Sequence, residues 1–224
     1  MQEETRAYEE LRVGFTAAVS HELRTPLARL LALLESASLG GEDRDALLAQ
    51  AREQVEEMSE LVDDVLFLSE LESGREVVAL GSTVVLPVLE EVRDRLADSA
   101  ERADVAIRIE GNADVELPLR RRMLQIVVEN LAENAIRYAG PGSTLTLSVA
   151  PGRLQAADDG RGVDGEELER LFERFYRSDR ARASRGTGLG LAIVKHVVTA
   201  AGGEVEATGG PNHGLTIRCS FPTT

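Results

Sequence analysis

An apolar repeat in the first third of the chain restricts the fold more than any other feature. Steps of 3, 4, 3, 4 and 3 separate six apolar residues, Leu48, Ala51, Val55, Met58, Val62 and Val65. This spacing is typical of the seam of a coiled-coil-like helix. Upstream, steps of 4, 3 and 4 separate Leu23, Leu27, Leu30 and Leu34, and the sequence SLGGED at 38–43 interrupts the helical pattern.

Two helices joined by a short Gly-Gly turn form an antiparallel hairpin. A single hairpin has little core of its own, and pairing two hairpins in a four-helix bundle would bury both stripes. We therefore predict that residues 1–75 are a helical hairpin that forms a homodimer. The sequence ESGREVVALGST at 72–83 loses the helical period, so residues 76–83 are predicted to be a linker.

Helical and strand-like segments alternate from residue 84 to the end of the chain. Helices are predicted at 86–103, 118–139, 165–175 and 190–203, the second entered through Pro118. Strands are predicted at 105–111, 204–208 and 215–221, with a hairpin over 143–160 that turns at Pro151-Gly152. Residues 84–224 are thus predicted to be an α/β sandwich, in which helices cover one face of a mixed, largely antiparallel sheet.

Composition excludes several classes of protein. The formal net charge of −14 argues against a nucleic-acid partner, which requires basic surface. No apolar run reaches the roughly 18 residues that span a bilayer, so we expect no membrane contact within this chain. The single cysteine fits a reducing, cytoplasmic compartment. The start at Met1, just before the hairpin, suggests the cytoplasmic portion of a larger, membrane-anchored protein; a naturally short cytoplasmic protein is the alternative.

The sequence SHELRTPL at 20–27 places a proline inside the first predicted helix. Such a proline costs about 3 kcal/mol and bends the helix. His21 lies about 200° from Leu23, so it faces solvent, and Thr25 shares its face. An imidazole of ordinary pKa, about 6.5, is mostly neutral at neutral pH. A neighbouring carboxylate such as Glu22 can hold one ring N–H and leave the lone pair of the other nitrogen free for attack.

Four further motifs follow His21 in the chain. They are NLAENAIRY at 130–138, DDGRG at 158–162, FERFYR at 172–177 and GTGLGLAIVK at 186–195. With SHELRTPL, they resemble in type and order the phosphoacceptor, N, D-x-G-x-G, F and second glycine boxes of sensor histidine kinases of two-component systems. The resemblance covers roughly residues 10 to 222. It implies a HisKA-type phosphoacceptor hairpin, an ATP-binding domain of the GHKL type and histidine kinase activity.

The resemblance implies roles for individual residues. His21 is the phosphoacceptor, Glu22 orients or deprotonates its imidazole, and Asn134 coordinates Mg²⁺ through its amide oxygen, with help from Asn130. Asp158 accepts a hydrogen bond from the adenine amino group, whereas Asp159 is given no base contact. The remaining residues implied to bind ATP are Arg137, Tyr138, Gly160, Gly162, Arg177, Gly186, Thr187, Gly188, Leu189 and Gly190.

The glycines at the start of a helix offer backbone N–H groups to phosphates. Four arginines precede this loop and are expected in a lid over the nucleotide: Arg177, Arg180, Arg182 and Arg185. Gly160 and Gly162 are expected to let the backbone turn tightly and approach the adenine ring.

The implied reaction is autophosphorylation of His21 followed by transfer to an aspartate of a response-regulator receiver domain. Thr25 matches the position at which the family's phosphatase activity orients water. Two alternatives stay open. One is an ATPase of the gyrase, MutL or Hsp90-like class, which needs a catalytic glutamate where this chain has Asn130; Glu129 lies about 100° round the helix. The other is a phosphatase or scaffold form of a histidine kinase.

Overall fold

The computed structural model of the chain describes residues 2–39, 44–73, 81–178 and 186–222, with side chains from Thr16 onward except those of Ala17 and Glu72. The chain divides into two compact units, residues 1–67 and 68–224. Each unit is described by itself below. The predicted linker lies largely outside the described residues, and its last residue, Thr83, begins a strand.

Two long helices form the helical hairpin region, α1 (Gln2–Leu39) and α2 (Arg44–Glu72). Pro26 lies inside α1 and is buried. On α2, buried apolar side chains recur at Leu47, Ala51 and Leu61. Other residues of the predicted seams are exposed within the single chain: Leu48 by 37%, Val55 by 53% and Val62 by 42% on α2, and Leu27 by 45% and Leu34 by 43% on α1. The hairpin therefore carries apolar stripes that one chain leaves uncovered.

The second unit begins with the end of α2, and its described residues from 81 onward contain three further α-helices, one 3-10 helix and seven strands. The helices are α3 (Leu86–Ala103), α4 (Arg121–Tyr138), α5 (Gly190–Ala200) and a 3-10 helix at Gly165–Phe172. The strands are β1 (Thr83–Val84), β2 (Val105–Gly111), β3 (Glu116–Leu117), β4 (Ser143–Ala150), β5 (Arg153–Asp158), β6 (Glu204–Gly209) and β7 (Leu215–Ser220).

Five of the strands form one sheet in the order β2-β4-β5-β7-β6. β2 and β4 are parallel, and the other three neighbouring pairs are antiparallel. Alternate residues of β4 are buried, among them Leu145 and Leu147. They lie beneath α4, which also carries fully buried apolar residues such as Met123 and Val127. A helical hairpin followed by an α/β domain with a mixed, mostly antiparallel sheet confirms the predicted fold class.

Two local predictions are wrong. The predicted helix after residue 164 is a 3-10 helix without buried residues. Because it buries no apolar stripe, packing does not select the longer α-helical hydrogen-bonding register. Pro118 does not open α4, which begins at Arg121. The chain around Pro118 is held extended because β3 pairs with β1 and the Thr83 hydroxyl donates to the Leu119 carbonyl at 2.6 Å.

Candidate active site

The glycine loop, residues 186–190, leads directly into α5. Gly186 and Gly188 have φ of +142° and +70°, values that a side chain would disfavour. Leu189 is fully buried, and its N–H donates to the Thr187 hydroxyl at 3.2 Å. Among the residues that the structure describes, no side chain caps the start of α5. The first N–H groups of this helix are therefore available to an anion.

Side chains from α4 contact both ends of the glycine loop. A β-carbon built on Gly186 would lie 2.6 Å from Arg137 Nη1 and 2.9 Å from the Tyr138 hydroxyl. A β-carbon built on Gly190 would lie 2.5 Å from Asn130 Oδ1. A side chain at either glycine would push these polar groups away from the loop. The fold thus brings together residues that are separated by about fifty positions in the sequence.

Asn130 and Asn134 lie one turn apart on α4 and are both half-buried. The Asn130 amide donates to the Ile126 carbonyl at 2.8 Å, which directs its oxygen toward Gly190. Asn134 makes no side-chain hydrogen bond to another described residue. Its amide oxygen is a ligand of the kind that Mg²⁺ prefers.

Asp158 ends β5 with a carboxylate that the backbone orients. Its Oδ1 accepts hydrogen bonds from the N–H groups of Gly160, at 2.9 Å, and Leu215, at 3.4 Å. Burial raises the pKa of this carboxyl above its ordinary value, although the two backbone donors oppose the shift. Oδ2 has no hydrogen bond within the described part of the chain, so it can accept one from a ligand.

The neighbouring residues of the DDGRG sequence hold this loop in place. Asp159 Oδ1 accepts a hydrogen bond from the Thr144 N–H at 2.6 Å, which ties the end of β5 to β4. Gly160 packs against the backbone of Ala139 at the end of α4. Gly162, with φ of +61°, packs against the carbonyl of Gly210. Both glycines are thus required for close backbone packing within the protein, and their approach to an adenine ring stays a prediction.

Glu129 faces away from the glycine loop. Its carboxylate forms an ion pair with Arg95 of α3. The adjacent Asn130 points instead toward Gly190. Glu129 is therefore not placed to activate a water molecule at the loop.

His21 lies on α1 in the other unit, with 75% of its side chain exposed. Its Nδ1 lies 3.4 Å from Glu22 Oε1, close enough for a hydrogen bond between ring N–H and carboxylate. Thr25, one turn further on, is also exposed. With Nδ1 facing the carboxylate, Nε2 is the ring nitrogen left open to solvent.

Phe175 is a contact residue of the site that the sequence motifs did not single out. Its N–H donates to the Gly188 carbonyl at 2.9 Å. The FERFYR motif contains it, but only the structure shows which residue of that motif meets the loop. Arg177 is half-buried nearby in sequence, whereas Arg180, Arg182 and Arg185 lie outside the described residues.

The remaining reactive side chains do not form a second site. Burial raises the pKa of Cys219 to about 12, so its thiol stays protonated and unreactive. Across the described ranges, no group of three His, Cys, Asp or Glu side chains is placed to hold a metal ion. Within those ranges, too, no helix combines the length and hydrophobicity needed to cross a bilayer.

Two family models match the chain. The His Kinase A (phospho-acceptor) domain matches residues 11–74, and the histidine kinase-, DNA gyrase B- and HSP90-like ATPase matches residues 120–224. The first match contains His21. The second contains the glycine loop and Asp158.

Curated relatives resemble the chain over nearly its whole length. Escherichia coli BaeS, a signal transduction histidine-protein kinase, is 34% identical over 96% of this chain and 47% of its own. The sensor-like histidine kinase SenX3 of Mycolicibacterium smegmatis is 31% identical over 99% of this chain and 60% of its own. The sensor protein IrlS of Burkholderia pseudomallei is 32% identical over 93% of this chain and 46% of the length of IrlS. The chain thus spans about half the length of these relatives.

Two solved structures share the fold. The Acinetobacter baumannii histidine kinase AdeS aligns with a TM-score of 0.71 and 28% identity, over 91% of this chain and 98% of that one. Full-length ShkA in complex with AMPPNP aligns with a TM-score of 0.63 and 28% identity, over 93% of this chain and 46% of that one.

Proposed function

The chain belongs to the sensor histidine kinases of two-component systems, and from this membership we propose that it transfers the γ-phosphoryl group of ATP to His21. The observation that carries the proposal is the convergence of Asn130, Arg137 and Tyr138 on the glycine loop. It assembles polar side chains and an uncapped helix start in one place, as a phosphate site requires.

The polar groups of the site fit ATP with magnesium. Asp158 Oδ2 accepts the hydrogen bond of an exocyclic amino group, which adenine has at the ring position where guanine has a carbonyl. The glycine loop and Arg137 suit the triphosphate. The amide oxygen of Asn134 suits Mg²⁺, which takes few protein ligands and otherwise uses water and phosphate oxygens. When bound, the ion offsets negative charge on the phosphates. ShkA, a relative by structure, binds AMPPNP.

Phosphoryl transfer uses the two ring nitrogens of His21 differently. The Nε2 lone pair attacks the γ-phosphorus, and the bond to the β–γ bridging oxygen breaks as ADP leaves. The Nδ1–H remains directed at Glu22, 3.4 Å away, and its proton passes to that carboxylate. The product is a neutral imidazole ring bearing the phosphoryl group on Nε2.

Family membership supports two further steps, which we propose for this chain. His21 passes its phosphoryl group to an aspartate of a response-regulator receiver domain. Thr25, exposed one turn from His21, orients water for the reverse, phosphatase step. We also propose that the kinase works in the cytoplasm, either as part of a membrane-anchored sensor or as a short cytoplasmic kinase.

The uncovered apolar stripes of the hairpin support a homodimer. Leu27 and Leu34 on α1, and Leu48, Val55 and Val62 on α2, are each more than a third exposed in the single chain. Apolar side chains at these spacings are buried when two hairpins pair as a four-helix bundle. A second copy of the chain covers these apolar stripes in the proposed dimer.

The position of the Glu129 carboxylate argues against the ATPase alternative. A hydrolase of this fold needs a carboxylate beside the glycine loop, and the Glu129 carboxylate is held by Arg95 on another helix. Incubation with γ-labelled ATP and Mg²⁺ separates the two functions. A kinase gives labelled protein whose label survives alkali and is lost in acid, whereas an ATPase releases phosphate steadily without labelling the protein.

A further inference from the structure

Phe175 has a backbone conformation that is unusual for a bulky residue. Its φ is +61°, in the left-handed region. Among the described residues, only Asp104 and Asn212 share this feature without being glycine. Asp and Asn enter this region because their short polar side chains bond locally, and phenylalanine has no such help. The surrounding structure must therefore hold Phe175 in place.

The glycine loop supplies that restraint through backbone contacts. The Phe175 N–H donates to the Gly188 carbonyl at 2.9 Å. Gly188 is itself left-handed, with φ of +70°, and a β-carbon built on it would lie 2.9 Å from Phe175 Cα. The two main chains are thus in direct contact. Neither interaction involves the phenyl ring.

This contact fixes the middle of the glycine loop. Arg137 and Tyr138 lie against Gly186 at one end, and Asn130 lies against Gly190 at the other. Gly188 lies between them, and its peptide group is oriented by the hydrogen bond from Phe175. Because a peptide unit is planar and turns as one piece, the same hydrogen bond fixes the direction of the Leu189 N–H, which donates to the Thr187 hydroxyl just before α5 begins.

We propose that Phe175 is a positioning residue for nucleotide binding, and that it acts through its left-handed backbone. In that conformation its N–H holds the Gly188 carbonyl, so the loop is already shaped for phosphates before ATP arrives. The inference rests on the proposed ATP site. A role for the aromatic ring would make nucleotide affinity depend on the size of the side chain at position 175. The present inference predicts that it depends on how readily the residue there adopts the left-handed conformation.

Substitutions that remove the ring separate these two roles. Glycine takes the left-handed conformation freely and asparagine takes it readily, whereas alanine disfavours it. We expect Phe175→Gly and Phe175→Asn to keep nucleotide affinity. Phe175→Ala populates the binding-competent loop less, so its affinity for nucleotide is expected to be about fivefold lower than that of Phe175→Gly.

The measurement is calorimetric titration of the full chain with AMPPNP and Mg²⁺, together with melting temperatures without nucleotide. Glu173 provides the matched control, since it is exposed two residues away with φ of −72°. Glu173→Gly and Glu173→Ala should bind AMPPNP equally. Comparing folded proteins excludes effects of glycine on the unfolded chain.

The inference is supported if Phe175→Gly and Phe175→Asn bind AMPPNP more tightly than Phe175→Ala does, while Glu173→Gly and Glu173→Ala bind it equally. Equal affinities of Phe175→Gly and Phe175→Ala would overturn it, as would weaker binding by Phe175→Gly. If Phe175→Ala does not fold, retained affinity in both Phe175→Gly and Phe175→Asn supports the inference, and lost affinity in both overturns it. Failure of the unmodified chain to bind AMPPNP would refute the proposed function instead.

Discussion

The side chain of Asn130 occupies the space in which Gly190 would otherwise carry a β-carbon. The distance from that built atom to Asn130 Oδ1 is 2.5 Å. Gly190 opens α5, and Asn130 lies in the middle of α4. This contact sets the helix that offers N–H groups directly beside the helix that offers amide oxygens, and a phosphate and its counterion require both within a few ångströms.

Gly190→Ala is expected to impair the site without unfolding the protein. The added methyl displaces the flexible end of Asn130, while alanine is a better helix former than glycine. We expect little change in melting temperature and an increase of about tenfold in KM for ATP, the effect of one misplaced hydrogen-bonding group. Gly165→Ala is the control, because nothing lies within 4 Å of its built β-carbon. An unchanged KM in Gly190→Ala would contradict the role given to this contact.

Asn134→Ala removes the proposed oxygen ligand for Mg²⁺. We expect the autophosphorylation rate to fall by about a hundredfold, because stabilisation by a bound ion is worth several kcal/mol. The Mg²⁺ concentration that gives half-maximal rate should rise as well. Asn112→Ala, at an exposed loop position, should leave both quantities unchanged. A normal Mg²⁺ dependence in Asn134→Ala would show that the ion is held elsewhere.

Asp158→Asn is expected to separate stability from nucleotide recognition. Because burial raises the pKa of this carboxyl above 3.8, the folded state binds its proton more tightly than the unfolded chain does. The free energy of unfolding therefore falls as pH rises from 3.8 through the raised pKa. At neutral pH the carboxyl is ionised, and its burial lowers the free energy of unfolding by the full amount. Replacing the carboxylate by a neutral amide removes this cost and keeps an oxygen for the Gly160 N–H.

At neutral pH, Asp158→Asn should therefore melt no lower than the unmodified chain. Its affinity for ATP should be about tenfold to a hundredfold weaker, because a hydrogen bond to a charged acceptor is lost. Calorimetry measures both quantities, and Asp114→Asn in an exposed turn is the control. A marked loss of stability with unchanged affinity would show that Asp158 serves the fold instead of the ligand.

Local sequence rules predicted some elements accurately. The bounds of α3 and β2 agree with the sequence prediction because Pro87 marks the helix start and the chain reverses at Asp104, with φ of +55°. The two-residue strands β1 and β3 were missed because so short a pair shows no periodicity. The packing of Gly160 against Ala139, and the left-handed conformation of Phe175, were not predictable either, since both depend on segments distant in sequence.

Thr25→Ala tests the proposed phosphatase step. Loss of the hydroxyl should slow dephosphorylation of a phosphorylated receiver domain by about tenfold or more, since a water molecule is no longer oriented. Autophosphorylation should stay within about twofold, because among the described residues the Thr25 hydroxyl makes no hydrogen bond to the His21–Glu22 pair that would perform that step. Ser38→Ala, on the same helix and exposed, is the control. Equal loss of both activities would indicate a general disturbance of α1.

The most direct test of the account is the labelling of two histidine variants with γ-labelled ATP. His21→Gln removes the exposed imidazole beside Glu22, and His213→Gln removes an exposed imidazole in the turn between β6 and β7. We predict alkali-stable, acid-labile label in the unmodified chain and in His213→Gln, and none in His21→Gln, with unchanged AMPPNP affinity in all three. Undiminished label in His21→Gln would contradict the proposal that His21 accepts the phosphoryl group.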